Sequence, residues 1–280
     1  MKYQEALFQG SKILKFNNIR SFNLDSEILL SSSLQLDRSQ LILNLNKKIK
    51  NKEKELFFNY IDRRKKSEPI AYITGYKEFW KNKFKVDKNV LIPRPDTEVI
   101  VEQVLDDLNI NSSKKILDIG TGSGCILLSI LRERKKCIGV GVDISKNAIK
   151  LAKYNAKIQH IKNRIRFLNS DIDNFYGDKY DLIISNPPYV KLHKINSLDR
   201  DIKSFEPKVA LNGGVDGYTK IRLTIKKSST LIKKRGKLFL EVGVDQTRET
   251  LKLLKLNGFY TNKVVKDLAN INRCLVSTKI

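Results

Sequence analysis

The sequence predicts an α/β protein: a largely parallel, doubly wound sheet covered by helices and preceded by a small N-terminal helical domain. From residue 114 onward, short apolar runs alternate with stretches of helical periodicity, the pattern of repeated βαβ units. The first of those runs passes directly into a glycine-rich turn, "LDIGTGSG". The first sixty or so residues instead repeat their apolar groups at helical spacing.

Taken in order, "YQEALFQGSKILKF", "SEILLSSSL", "SQLILNLNKKI" and "EKELFFNYIDRRKK" read as a helical bundle over residues 1–67. Ser26 and Ser39 each precede an apolar-periodic run and are expected to cap helices, because a hydroxyl there can accept from an orphan backbone N–H. Over residues 68–93, aromatic and β-branched residues alternate around Gly75 and the turn-like "VDKN", which predicts a β-hairpin linker. Pro93, Pro95 and the acidic "DTE" then open the helix "TEVIVEQVLDDL" and with it the main domain, residues 94–280. Its strands are "KKILDIG", "CIGVGVD", "IRFLNS", "YDLIIS", "GKLFLEVG", "FYTNKVV" and "RCLVST". Helices fill most of the intervals, as in "SGCILLSILRER", "SKNAIKLAKYNAKIQ" and "DQTRETLKLLKLN". Only "KDLANIN" separates the last two strands, too little for a parallel crossover, so they are expected as an antiparallel pair at the sheet edge.

Composition excludes several classes. With 280 residues, 41% hydrophobic and 30% charged, the chain can build a substantial core and does not read as disordered or low-complexity. Its start lacks the apolar core and cleavage site of a secretory signal, and no stretch reaches membrane-spanning length, so a cytoplasmic protein without membrane association is expected. Cys125, Cys137 and Cys274 lie far apart in apolar segments and suit reduced core thiols. With only His160 and His193 available, no metal site is expected. The net charge of +24 is scattered through "RRKK", "RERKK" and "KKRGK", which permits a nucleic-acid-rich neighbour without requiring direct binding.

The glycine-rich turn carries the first chemistry. Gly120, Gly122 and Gly124 sit between a strand and a helix, where glycine allows positive φ and lets a ligand approach the backbone. The next strand ends in Asp143, whose carboxylate can accept from ribose hydroxyls. Cys125 stands where a dinucleotide fingerprint wants glycine or alanine, and no Gly-Lys-Ser/Thr follows, so neither a dinucleotide nor a P-loop nucleotide fits. A ligand with ribose and adenine but no pyrophosphate, S-adenosylmethionine, fits what remains, with Asp118 near its charged amino-acid end. Asp171 and Ile172, after the third strand, are placed to flank the adenine.

The fourth strand ends in "SNPPYV". Proline fixes φ, lacks an N–H and restrains the residue before it, so Asn186-Pro187-Pro188 is a stiff segment whose oxygens have few local competitors. The side-chain oxygen of Asn186 and the backbone oxygen of Pro187 can each accept one hydrogen of a planar NH2 group, with Tyr189 packed on the attached plane. Either an amide or a base amine meets that description. Such a nitrogen is a weak nucleophile, so holding it in line with a sulfonium methyl supplies much of the catalysis.

With these residues in place, the chain resembles the class I S-adenosylmethionine-dependent methyltransferases that carry NPPY, and so a Rossmann-like sheet. More narrowly, it resembles the peptide chain release factor glutamine N5-methyltransferase family. "PIAYITGYKEFW", "LIPRPDTE", "LDIGTGSG", "VGVDIS", "ISNPPYV", "FEPKVAL" and "LFLEVG" occur in that family's order over nearly the full length. The resemblance implies that Gly120, Thr121, Gly122, Ser123, Gly124 and Asp143 bind the methyl donor, with Asn186 touching both donor and substrate. It implies that Asn186, Pro187, Pro188 and Tyr189 bind the substrate glutamine, Asn186 and Pro187 being catalytic, and leaves Glu206 as a further substrate-side candidate. The implied partner is a class I release factor presenting the glutamine of a Gly-Gly-Gln loop, docked with help from the helical domain to a monomeric enzyme. Ile172 stands where many relatives carry an aromatic, and "SFEP" lacks their basic residue before Phe205. The alternatives are a glutamine methyltransferase acting on a ribosomal protein, an adenine-N6 methyltransferase acting on DNA or RNA, and a noncatalytic module that keeps the fold.

Overall fold

The computed structural model describes all residues, 1–280. It divides into two compact units, one formed by Met1–Gly75 with Asp199–Phe205 and the other by Tyr76–Leu198 with Glu206–Ile280.

The first unit is helical: α1 (Tyr3–Phe16), α2 (Phe22–Leu34), α3 (Arg38–Leu43), α4 (Asn51–Arg64) and α5 (Ile70–Thr74). Its core is Leu14, Leu29, Leu30, Leu41, Phe57 and Ile61, all completely buried. Arg64 Nε donates to Asp25 at 2.7 Å, and both side chains are nearly buried, so the pair ties α4 to α2. The expected caps differ. Asp37, in extended conformation one residue before α3, accepts from the Gln40 N–H at 2.7 Å, which leaves Ser39 inside the helix. Ser26 is also internal, buried within α2 with its hydroxyl donating to the Leu7 carbonyl. The apolar "IAYIT" reads as strand but folds as α5, starting directly after Pro69 and ended by Gly75 at φ 79°.

The second unit opens with the hairpin β1 (Tyr76–Phe79) and β2 (Asn82–Lys85), then α6 (Glu98–Asp107), β3 (Lys115–Ile119), α7 (Cys125–Glu133), β4 (Ile138–Asp143), α8 (Lys146–Ile158), β5 (Ile165–Asn169) and β6 (Tyr180–Ser185). After α9 (Arg200–Phe205), which belongs to the helical unit, come α10 (Lys208–Leu211), α11 (Thr219–Leu231), β7 (Ile232–Glu241), α12 (Thr247–Leu256), β8 (Phe259–Lys266) and β9 (Asn272–Lys279). The seven-stranded sheet has the order β5-β4-β3-β6-β7-β9-β8, parallel except for β9, which runs antiparallel to both β7 and β8. The antiparallel edge pair is therefore present, with the last strand inserted inside and β8 outermost. Burial explains that order: β9 is almost wholly buried, whereas β8 is largely exposed and carries Lys263 and Lys266 on the free edge.

Alternation along the strands divides the core in two. Ile116, Leu182, Ile184, Phe239 and Val276 pack against α6, α7, α8 and the hairpin, while Leu117, Ile183, Leu238, Leu240 and Leu275 pack against α11 and α12. One buried polar residue links the hairpin to the main layer. Asn155 of α8 accepts from the Lys85 N–H at 2.9 Å and donates to the carbonyls of Lys85 at 3.0 Å and Ser123 at 2.8 Å. Asn155→Ala leaves these backbone groups without partners in a dry site and is expected to cost roughly 2–4 kcal/mol, measured by chemical denaturation.

Candidate active site

Strand order reverses between β3 and β6, and in open α/β sheets ligands bind beyond the carboxyl ends of the strands at such a reversal. A cleft of about 1170 Å³, counting the space at its mouth, occupies that position. Its lining brings together Gly120 to Ser123 after β3, Asp143 after β4, Asp171 and Ile172 after β5, and Asn186 to Pro188 after β6. Gly124 and Tyr189 are not part of the lining.

Within the turn the glycines divide by task. Gly120 and Gly122 have φ of 75° and 54°, and a Cβ on either would meet nothing within 4 Å, so both leave open space for a ligand against the backbone. A Cβ on Gly124 would instead press on Leu128 at 3.1 Å and Phe167 at 3.3 Å, which makes this glycine a packing residue at the start of α7. Asp143 braces the turn, accepting from the N–H groups of Gly122 at 2.9 Å and Ser145 at 2.8 Å. Burial raises its pKa, and those two N–H groups oppose the rise. Each oxygen keeps a second lone pair for an outside hydroxyl. The turn thus fits a ribose-bearing ligand: an open cradle with a braced carboxylate beside it.

Asp118, at the base of the turn, is 1% exposed. One carboxylate oxygen accepts from the Thr121 hydroxyl at 2.7 Å and the other has no partner. Desolvation pushes its pKa up to about 7, with Thr121 opposing the shift and Asp143 adding to it. An aspartate in the unfolded chain ionises near pH 4, so between about pH 4 and 7 the folded state keeps a proton the unfolded state has lost, and stability falls as pH rises. Asp118→Asn is therefore expected to raise the melting temperature at pH 8 and to have little effect at pH 4, checked by calorimetry at both. Cys125 also lies on the cleft wall, but burial pushes its thiol up to about 12, which removes thiolate chemistry at neutral pH.

On the opposite wall, Asn186 Nδ2 donates to the Thr97 hydroxyl oxygen at 3.1 Å. The amide nitrogen is thereby engaged and the carbonyl side of the amide remains for the cleft. Tyr189 turns away from the cleft: its ring packs against the α11/α12 side of the core and its hydroxyl donates to Glu241 Oε1 at 3.2 Å. Gln246 Nε2 holds the Tyr189 carbonyl at 3.3 Å, and a Cβ on Gly213 would come within 2.8 Å of the Tyr189 backbone, so the chain after the prolines is clamped from several sides. Ile172 serves both readings of an aliphatic residue, lining the cleft and packing on the core. Asp171 accepts from the Asp173 N–H at 3.2 Å, forming the turn that presents Ile172. Glu206 is 4% exposed and engages the Arg94 guanidinium and the Ile92 N–H.

Sequence reasoning missed several lining residues. Arg94 and Thr97 belong to "IPRPDTE", a segment noted for its resemblance but given no role, while Lys220 and Thr224 of α11 carried no motif at all. Helical periodicity identifies α11 without telling which of its residues reach the cleft.

Comparison with known proteins bears on this geometry. Residues 5–75 match the model of the PrmC N-terminal domain, and residues 96–202 match the methyltransferase small domain. Among solved structures, a methyltransferase from Pyrococcus furiosus superposes with a TM-score of 0.53 at 14% identity, covering 70% of this chain and 88% of that one. The ribosomal protein L11 methylase of Lactobacillus delbrueckii subsp. bulgaricus gives a TM-score of 0.51 at 15% identity, covering 73% and 89%. These two establish the class I methyltransferase fold. In sequence, the chain is 38% identical over 282 residues to the release factor glutamine methyltransferase of Clostridium acetobutylicum, covering 100% of this chain and 99% of the relative. It is 33% identical over 267 residues to that of Caulobacter vibrioides, covering 95% and 92%. Both relatives match over nearly the whole length of the chain, which accordingly belongs to the release factor glutamine methyltransferase family.

Proposed function

We propose that the cleft binds S-adenosylmethionine along the glycine turn and Asp143, and presents to it the side-chain amide of the glutamine in the Gly-Gly-Gln loop of a class I release factor. The observation that carries this is the meeting, in one cleft, of two open glycines, a braced carboxylate and the Asn186-Pro187 segment.

S-adenosylmethionine, when bound, supplies a methyl group made electrophilic by its positively charged sulfur. Gly120 and Gly122 admit it to the backbone, Asp143 accepts from the ribose hydroxyls, and Ile172 packs along the adenine. Asn186 Oδ1 and the Pro187 carbonyl each accept one hydrogen of the glutamine NH2, and Pro188 stiffens the segment that carries both oxygens. The two acceptors orient the amide nitrogen for attack and raise its electron density. As the nitrogen would gain the methyl carbon, the carbon–sulfur bond would break with its electron pair left on a now neutral sulfur, and the two oxygens would stabilise the positive charge growing on nitrogen until one proton passes to solvent. Tyr189 acts from beneath, through its hydroxyl on Glu241, to hold the segment in place.

The helical unit, Met1–Gly75 with Asp199–Phe205, serves to dock the release factor, and acting on a release factor implies a cytoplasmic reaction. No helix is long and apolar enough to cross a membrane. The test incubates the purified protein with methyl-labelled S-adenosylmethionine and a release factor, followed by mass spectrometry. Label on the Gly-Gly-Gln glutamine is expected. A folded protein that binds the donor and leaves that glutamine unmodified overturns the assignment, and label on an adenine instead moves it to base methylation.

A further inference from the structure

Two basic runs far apart in sequence, "RERKK" and "KKRGK", come to the same end of the sheet. β5, β4, β3, β6 and β7 are neighbours and run parallel, so all five begin at the end opposite the cleft. Cations lead in most of these starts. Lys114 precedes β3, Lys135 and Lys136 precede β4, Lys162 precedes β5, and Lys234 and Arg235 lie at the beginning of β7. All six are exposed, and none has a carboxylate within ion-pair distance. The Ile138 N–H donates to the Lys114 carbonyl at 3.0 Å, which holds the starts of β3 and β4 side by side. Tyr180 pairs with Ile232 and Leu182 with Lys237, so residues 233–236 bulge outward where β6 has only Asp181, and Arg235 turns the bulge at φ 63°. The acids Asp107, Asp178 and Asp181 are paired, with Lys237, Lys115 and Lys233, whereas Asp106 on the last turn of α6 has no ion pair. The same strands carry Asp118, Asp143 and Glu241 near their other ends, so the sheet is basic where it begins and acidic where it stops.

A second feature of this end points to what the cations meet. A hollow of about 960 Å³, counting its open mouth, is lined by Asn163, Arg166, Tyr176 and Tyr180. Tyr176 is 83% exposed. Lys227 Nζ sits over its ring, 4.3 Å from the centroid, and is itself fixed by donating to the Asp173 carbonyl at 2.9 Å, so the ring is steadied and its outer face is open. Cations crowded with few partners repel one another, and a polyanion relieves that repulsion while releasing its own counterions. A lipid headgroup surface would use the charge alone; a strand with unpaired bases uses the charge, the recess and the ring. We propose that the amino end of the sheet binds single-stranded nucleic acid, with its phosphates on the lysines and arginines of the strand starts and a base stacked on Tyr176 at the mouth of the hollow. The starts of β5 to β7 span four strand spacings, about 19 Å, enough to follow several nucleotides. This face lies at the other end of the strands from the cleft and does not depend on what the cleft holds.

The test follows the fluorescence anisotropy of a labelled single strand of about 12 nucleotides, in RNA and DNA forms, titrated with the full-length protein. A Kd of roughly 1–100 μM at about 0.1 M salt is expected, with log Kd rising against log salt at a slope of about 3, as for four or five neutralised phosphates. Lys234→Gln/Arg235→Gln should lower that slope by about 1.4 and weaken binding about 10-fold. Lys150→Gln/Lys263→Gln removes the same charge near the start of α8 and on the β8 edge, and should change Kd less than about twofold. Tyr176→Ala should weaken binding about 10-fold with the slope unchanged, and should erase a preference for the single strand over a duplex of equal length. Whichever of RNA and DNA binds more tightly identifies the source of the strand, and either supports the proposal. Affinity for S-adenosylhomocysteine should stay within about twofold of wild type in Lys234→Gln/Arg235→Gln, which shows that the variant is folded and the cleft intact. Binding of both strands weaker than about 1 mM, equal losses from the two charge-removing pairs, or wild-type affinity in Tyr176→Ala overturns the proposal. Phosphatidylserine vesicles bound in preference to both strands overturn it as well.

Discussion

Asn186→Ala is expected to leave the protein folded and to lower kcat on the release factor by about 100- to 1,000-fold, with little change in donor affinity. The side chain is half-buried and its one hydrogen bond in the protein is to Thr97, so its removal opens little core and leaves only the Thr97 hydroxyl without this partner. What is lost is one of two fixed acceptors on the nucleophile, together with the orientation it imposes. Single-turnover rates and thermal melting measured side by side check the prediction. Turnover within about tenfold of wild type would mean that the Pro187 carbonyl suffices, and the two-acceptor account would fall. Asn186→Asp is an informative companion: it restores an acceptor but cannot donate to Thr97, and it adds a negative charge to the cleft wall. It should recover only part of the activity.

Asp143→Ala should act on a different step. Both carboxylate oxygens accept from backbone N–H groups of the turn and of the start of α8, at 2.9 and 2.8 Å. Alanine leaves both donors without this partner, loosens the turn and removes the acceptor for the ribose. Charge-assisted hydrogen bonds contribute about 1.5–3 kcal/mol each, so the dissociation constant for S-adenosylhomocysteine should rise about 10- to 100-fold, read by titration calorimetry. At saturating donor, kcat should recover most of its wild-type value, in contrast to Asn186→Ala. Equal affinity in the variant would show that the carboxylate serves the fold of the turn and does not contact the donor.

Much of the fold is legible in the sequence because strands and helices announce themselves over short windows. "YDLIIS" and "KILDI" are apolar runs of strand length flanked by helical periodicity, and each becomes a parallel strand at the centre of the sheet. The exceptions have local causes. "IAYIT" carries β-branched residues, yet Pro69 and Gly75 at its two ends suit a short helix, and burial of Ala71, Tyr72 and Ile73 outweighs strand propensity. Asp37 replaces Ser39 as a cap because the helix begins two residues earlier than its apolar spacing indicates. Of the motif residues, Gly124 and Tyr189 lie off the cleft lining, whereas Arg94, Thr97 and Lys220 line it from segments to which no site role was given, because which residues of a helix or turn face a cleft is set by packing of distant segments.

The sequence by itself determined the alternation of elements, the glycine turn with Asp143 a strand later, and a stiff proline-backed oxygen pair. All of these depend on neighbours a few residues away. Only the tertiary structure decided that β9 enters between β7 and β8, that Tyr189 turns inward, and that Asn186 meets Thr97 across 89 residues and Tyr189 meets Glu241 across 52. The reason is physical: backbone propensity and apolar period act over one or two turns of chain. Pairing a buried donor with its acceptor is imposed by the cost of leaving either one unmet, and that cost is set only when distant segments close around them.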